Sequence, residues 1–230
     1  MKKKLVALTG AGVSAESGIK TFRDSGGLWE EYDVMDVASI EGWRRNPQLV
    51  QQFYNVRRRE LATVQPNKAH EILASLEKFF DVEIITQNVD NLHERAGSTN
   101  IVHLHGELTK ARSSVNPNIV GEIGYRAIEH GEKAADGSIL RPHIVWFGEA
   151  VPMIETAAKK MQQSDIVVII GTSLNVYPAA GLVDYAPPGV PVYLIDPNEV
   201  NYHGRKINFI RKKASEGMEI LFQTLVEQKK

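Results

Sequence analysis

The run Gly10-Ala11-Gly12-Val13-Ser14-Ala15 has the G-x-G-x-x-A spacing of a dinucleotide-binding loop. Glycines at these positions let backbone N–H groups approach a pyrophosphate, and a helix that starts there aims its positive end at the same charge. The same glycines also suit a tight strand-to-helix turn that needs them only for their dihedrals. Their position straight after an N-terminal apolar run favours the nucleotide. A dehydrogenase would also place an acid about 20 residues on, at the end of a second strand, for the ribose hydroxyls. Glu30 and Glu31 stand in that region without an evident strand before them, which argues against hydride-transfer chemistry of the usual kind. His103 and His105, two apart, would share one face of a strand, and imidazole pairs so placed either chelate a metal or serve proton transfer near neutral pH. The chain has no cysteine, so disulfides, thiolate metal sites, iron–sulfur clusters and cysteine nucleophiles are excluded, and any zinc would rest on His and carboxylates.

The elements that must position these residues are short apolar runs separated by helical patterns. Leu5 to Leu8, Val82 to Ile85, Ile101 to Leu104, Ile144 to Phe147, Ile166 to Ile170 and Val192 to Ile195 read as strands buried on both faces of a parallel sheet. Asn67 is the expected N-cap of a helix over Lys68 to Phe79, where Ala69, Ile72, Leu73 and Leu76 form a stripe; Val151 to Met161 and Glu216 to Val226 are helical by period. This alternation predicts an α/β fold, a Rossmann-like doubly wound parallel sheet. One domain is expected over 1–230, its larger part about 1–32, 66–110 and 142–230. Two insertions, about 33–65 and 111–141, would form a smaller module with a ligand cleft beside the sheet. With 27 basic and 28 acidic residues and a net charge of −1, no nucleic-acid partner is expected. The apolar run after Lys2-Lys3-Lys4 is too short for a signal peptide and no stretch is long enough for a membrane helix, so no membrane partner and a cytoplasmic location are expected.

Five ordered segments carry more than the glycine loop alone. They are Gly10 to Ile19 with Thr21-Phe22-Arg23, Thr86-Gln87-Asn88-Val89-Asp90-Asn91-Leu92-His93, His103-Leu104-His105-Gly106, Pro142 to Glu149, and Gly171-Thr172-Ser173-Leu174. Together they resemble the sirtuins, NAD-dependent protein lysine deacylases, over nearly the whole chain. The resemblance implies that NAD is consumed as co-substrate: the acyl oxygen of a modified lysine attacks the ribose carbon bearing nicotinamide, nicotinamide is released, and the acyl group ends as O-acyl-ADP-ribose. It implies acylated lysines of proteins as partners, His105 as general base, and Asn88 and Asp90 as catalytic residues that position ribose and nicotinamide beside Gln87. It further implies NAD contacts at Gly10, Ala11, Gly12, Ala15, Glu16, Thr21, Phe22, Arg23, Trp29, Gly171, Thr172, Ser173, Asp196, Pro197, Asn198 and Ala214. Val145, Trp146, Phe147, Gly148 and Glu149 resemble the strand that pairs with a substrate peptide through main-chain bonds. Asn and Asp also suit a capped turn, and strand aromatics such as Trp146 and Phe147 usually pack a core.

Tyr54 and Arg57 resemble the Tyr-x-x-Arg signature of class III sirtuins, and Ala38 a small residue that leaves room in their pocket. Three apart on a helix, Tyr54 and Arg57 share a face, where a guanidinium and a phenol can hold the distal acid of succinyl-, malonyl- or glutaryl-lysine. Arg57-Arg58-Arg59 also reads as a solvated helix face. Most sirtuins carry two Cys-x-x-Cys pairs where this chain has Ala111 to Leu140. Without them no metal is expected, and Val115, Ile119, Val120, Ile123, Tyr125, Ile128 and Ile139 are left to pack the module as a hairpin and helix. An NAD or ADP-ribose sensor and an ADP-ribosyltransferase are the rival readings.

Overall fold

The computed structural model describes residues 2–19, 32–200, 202 and 205–227. In chain order the elements are β1 (Lys4–Thr9), α1 (Gly12–Ala15), α2 (Val34–Val37), α3 (Ile40–Arg45), α4 (Pro47–Thr63), α5 (Lys68–Leu76), β2 (Asp81–Thr86), α6 (Leu92–Arg95), β3 (Ile101–His103), β4 (Gly106–Ser113), β5 (Val120–Glu122), β6 (Leu140–Ile144), α7 (Ile154–Gln162), β7 (Ile166–Ile170), a 3₁₀ helix (Ala179–Tyr185), β8 (Val192–Ile195), β9 (Asn208–Ile210) and α8 (Ala214–Glu227). Six strands form one parallel sheet in the order β3-β2-β1-β7-β8-β9. The chain reverses direction across the sheet between β1 and β7, the point at which open α/β sheets bind ligands.

Both faces of the sheet are covered. Leu5, Ala7, Val82, Ile84, Val168 and Ile170 pack against α5 and α8, whereas Val6, Leu8, Ile85, Val167 and Ile169 pack against α7 and the 3₁₀ helix. That two-sided burial explains why β1 and β7 are unbroken apolar runs, and it bears out the doubly wound sheet. Asn67 caps α5 as expected, its side chain accepting from the Ala69 N–H at 3.0 Å. Among the described residues no helix is long and apolar enough to cross a membrane.

A second, antiparallel sheet in the order β5-β4-β6 stands beside the first, next to α2, α3 and α4. Here the expected parallel strand over Ile144 to Phe147 is corrected. Its first residue ends β6, and the next ones bond elsewhere: the Val145 N–H donates to the His105 carbonyl at 2.9 Å, and the Phe147 N–H to that of Ala38 at 2.9 Å. The run is apolar because Ile144 and Trp146 belong to the module's own core with Val37, Trp43, Phe53, Tyr54, Leu61 and Leu108. Of the hairpin and helix expected in 111–141, the hairpin forms between β4 and β5, but the helix is corrected: the described residues there form sheet and turns. Val115, Val120, Tyr125 and Ile139 are exposed, and of the expected packing residues Ile128 alone is buried. Polar bonds hold the segment instead. The Ser113 hydroxyl sits 2.7 Å from Asp136 and accepts from the Val115 and Asn116 N–H groups, while Asn55 donates to the Ile128 carbonyl at 2.9 Å and accepts its N–H at 3.0 Å.

Candidate active site

The carboxyl ends of β1, β2, β3 and β7 bring four of the five motifs together. Gly10 and Gly12 follow β1, and their N–H groups donate to the carbonyls of Ile170 and Gly171 at 3.0 and 2.9 Å. A side chain on Gly12 would lie 2.6 Å from the Gly171 Cα, and one on Gly171, whose φ is +61°, would lie 2.3 Å from the Val13 nitrogen. These glycines therefore serve close approach of two loops at the strand switch, and the two N–H groups expected to reach a pyrophosphate are spent on that contact. Thr172 accepts from the Gln87 carboxamide at 3.2 Å, linking the β7 loop to the β2 loop.

Ser14 is the residue to which the sequence assigned no role. Buried at the start of the chain's first helix, its hydroxyl donates to Asp90 Oδ2 at 3.0 Å and accepts from the Asn88 carboxamide at 3.0 Å. Asn88 thus has its NH2 committed inward and its carboxamide oxygen left to accept. Asp90 also accepts the Leu92 N–H at 3.1 Å; burial raises its pKa against the pull of these two donors. His105 is half-buried, and its Nδ1 lies 3.0 Å from the Gln87 carbonyl. A carbonyl only accepts, so Nδ1 carries the proton and Nε2 is the basic nitrogen. Burial lowers the His105 pKa, and the bond to Gln87 offsets part of that.

Of the residues expected to bind the acyl group, Tyr54 lies on the buried stripe of α4 with Val50, Phe53, Arg58 and Leu61, and Arg57 lies beside it. The arginine run is therefore not a solvated face: Arg58 is fully buried on Asn55 and the Leu108 carbonyl, Arg57 is half-buried with its guanidinium 5.7 and 5.9 Å from the Phe53 and Tyr54 rings, and Arg59 alone is exposed. The Tyr54 hydroxyl accepts from the Trp146 indole at 3.0 Å, and burial pushes its pKa up to about 12. Burial lowers the Arg57 pKa, opposed by the charges of Tyr54 and Asp90. Ala38 is buried in the same cluster.

Of the segment expected to pair with a peptide, Trp146 is buried under Arg141, whose guanidinium carbon is 3.5 Å from its ring centre, and Phe147 is exposed. The N–H groups of Val145, Trp146 and Phe147 go to His105, Glu149 and Ala38, while the Val145 carbonyl and Gly148 have no backbone partner among the described residues. Glu149 points inward, bonded to Arg141 at 2.7 Å and Arg112 at 3.3 Å. Glu16, expected on the nucleotide, accepts the Ser215 N–H at 2.8 Å and so ties the first loop to α8, next to Ala214. Ala15 is exposed beside it, and Ala11 and Ser173 are half-buried in their loops. Asp196 follows β8 and accepts the Asn198 N–H at 2.9 Å, with Pro197 exposed between them. Thr21, Phe22, Arg23, Trp29, Glu30 and Glu31 lie outside the described residues.

Among the described residues one group, Glu94, His103 and Glu107, brings metal-ligand atoms within 4.8 Å of one another, and His105 is not in it. Its charges are already met, Glu94 by His103 at 2.7 Å and Glu107 by Lys110 at 2.7 Å, so we assign it no metal. A nucleotide fits the donor set better: a basic imidazole nitrogen, an amide oxygen and a buried carboxylate converge at the end of a parallel sheet.

The Sir2 family model matches residues 10–178. The chain belongs to the Sir2 family. It is 61% identical over 230 residues to an NAD-dependent protein deacylase of Bacteroides thetaiotaomicron, covering 97% of this chain and 98% of that one. Its fold matches a Sir2 homologue solved with NAD at a TM-score of 0.87 and 38% identity, over 99% of this chain and 91% of that one. A Sir2 solved with a deacetylated p53 peptide and 3'-O-acetyl ADP-ribose matches at 0.79 and 27% identity, over 97% and 94%.

Proposed function

We propose that this protein is an NAD-dependent protein lysine deacylase that prefers acyl groups ending in a carboxylate, with weaker action on acetyl-lysine. The observation that carries the reading is the His105 ring, locked by the Gln87 carbonyl into the tautomer whose Nε2 is free of a proton. Bound NAD supplies a ribose carbon at which the bond to nicotinamide gives way to the acyl oxygen of the substrate. Around that carbon, His105 Nε2 takes the proton of a ribose hydroxyl, the Asn88 carboxamide oxygen accepts from the sugar, and the Asp90 carboxylate favours developing positive charge. Ser14 fixes the last two relative to each other.

The acyl preference rests on α4. With its oxygen accepting from Trp146, the Tyr54 hydroxyl keeps its own proton for a distal carboxylate, and Arg57 lies on the same face one turn on. The relatives' name, NAD-dependent protein deacylase, and the peptide and acetyl ADP-ribose complexes of solved Sir2 proteins support the same chemistry. The test is nicotinamide release from NAD with succinyl, acetyl and unmodified peptides. Release is expected only with acylated peptides and fastest with succinyl; none with any peptide favours a nucleotide sensor, and transfer to protein without deacylation favours an ADP-ribosyltransferase. Arg57→Met should lose several-fold more desuccinylase than deacetylase activity, and equal loss of both would refute the pocket.

A further inference from the structure

His103 and His105 each turn Nδ1 onto the loop after β2, the first onto the Asn88 carbonyl at 3.2 Å and the second onto that of Gln87 at 3.0 Å. Consecutive carbonyls of one loop are thus clamped by imidazoles two residues apart. Their second nitrogens differ. His105 leaves Nε2 as a base, whereas His103 Nε2 meets Glu94 Oε1 at 2.7 Å, with the His103 side chain 9% exposed. A neutral imidazole has one N–H and His103 faces two acceptors, so only the imidazolium satisfies both. The titratable and charged groups facing that ring are Glu94 and His93 of α6, Asp90 just ahead of α6, and Glu107 of β4, itself paired to Lys110.

We propose that His103 and Glu94 are a positioning pair, in which the imidazolium held by the Glu94 carboxylate donates to the Asn88 carbonyl and fixes the Gln87-to-Asp90 loop beneath the nucleotide ribose. The proposal rests on the deacylase reading of the same site. The two histidines are tuned apart as this division of labour requires. Burial lowers both, but for His103 the bond and charge of Glu94 outweigh it and raise the pKa, while His105 stays lowered. Between the two values His105 is a free base and His103 is charged, which is the working window. As pH rises through the His103 value the imidazolium loses a proton, one of its two bonds goes, and turnover should fall.

Glu94→Gln keeps the shape and removes the charge; the neutral ring can then donate through Nδ1 and accept at Nε2. Its kcat should fall about tenfold, the difference between a charge-assisted and a neutral hydrogen bond, with the peptide KM held within about twofold and the alkaline limb of the wild-type profile gone. Glu94→Asp, which keeps the charge, should recover most of the kcat and the limb. A readout without turnover separates this proposal from the deacylase reading. In nuclear magnetic resonance of the wild type, the His103 ring should titrate above pH 6.5 and the Val89 amide, joined to the Asn88 carbonyl, should follow it; in Glu94→Gln the His103 ring should titrate below that pH. A folded Glu94→Gln with wild-type kcat and pH profile, or a Val89 amide indifferent to His103, overturns the pair. Absence of wild-type turnover with every acyl peptide would instead overturn the deacylase reading, and the Val89 titration would still decide whether the pair holds the loop.

Discussion

His105 has one nitrogen left for the proposed proton transfer because the other is committed to the Gln87 carbonyl, and its burial disfavours the charged form. A lowered pKa keeps the ring neutral to more acidic pH. The acid limb of kcat/KM should therefore lie below the ordinary imidazole value of about 6.5. A limb centred at or above that value would show that the free enzyme's base is some other group. Tyr54 is a second residue whose surroundings fix its role. Tyr54→Phe removes the acceptor of the buried Trp146 indole N–H, which costs about 1–3 kcal/mol, and it deletes the phenol donor proposed to meet the acyl carboxylate. Thermal unfolding should drop by about 2 to 4 °C per kcal/mol. Desuccinylation should fall more than deacetylation, and a uniform loss would place the phenol in packing alone. The placing of His105, Asn88 and Asp90 at the strand ends and of Tyr54 and Arg57 on one side of a helix was legible in the sequence because their motifs are local. Ser14 and Glu94 were not, since their partners Asp90 and His103 are fixed by strand order rather than by spacing.

Among the elements, five of the six strands of the parallel sheet were legible from their apolar runs, whereas β9, a largely exposed edge strand, gave no such run and was missed, and Ile144 to Phe147 carried the apolar signal for another reason. Pro142 was the available clue. It pairs with Ala111 in β6, an edge strand of the small sheet, where a residue lacking an N–H is tolerated. The arginine run carried two readings in the sequence, a carboxylate-binding Arg57 and a solvated face, and the period of α4 decides against solvent for Arg58, which is buried, and for Arg57, which is half-buried beside it, while Arg59 is exposed. The segment after β6 is anchored by charge. Glu149 receives Arg141, Arg112 and the Trp146 N–H, with Arg141 only 3% and Arg112 only 8% exposed. Glu149→Ala should cost about 3–5 kcal/mol, because two buried guanidinium groups lose their counter-charge. The pH dependence has the sign of a depressed acid. Burial pushes the Glu149 pKa up, but Arg141, the Trp146 N–H and Arg112 together bring it below its usual value, so this contribution is complete above the unfolded carboxyl pKa and fades as pH falls through the folded one. Calorimetry of wild type and Glu149→Ala should show the gap in melting temperature narrowing towards acid pH; a gap that is small at pH 7 would mean the arginines find other partners.

Across the whole molecule, a pair of histidines joins the helical layer to the central strand. His70 of α5 accepts the Asn67 N–H at Nδ1, so its proton sits on Nε2; His93 of α6 meets the Thr9 hydroxyl of β1 through Nε2; and the rings lie 4.8 Å apart, with His70 Nε2 and His93 Nδ1 finding no hydrogen-bond partner among the described residues. Both residues are fully buried. Burial lowers His70 to about 4, and burial together with the charges of His70 and His103 takes His93 well below its ordinary value. The pair showed nothing in the sequence beyond a His on an apolar stripe and another inside a motif, because burial is what defines it. Since the unfolded chain binds these protons near pH 6.5 and the folded one does not, the stability they allow is complete above that pH. It declines as pH falls towards 4, by up to roughly 1.4 kcal/mol per pH unit for each ring. The melting temperature should hold steady from pH 8 to 7 and then fall steeply between pH 6 and 5. Replacing both by glutamine lowers stability at pH 7 and should flatten that slope, because the replacement does not titrate. A slope unchanged in the double variant would assign the acid sensitivity to carboxylates such as Glu149, and a wild type whose melting temperature is level down to pH 5 would mean that the rings can take up protons without unfolding.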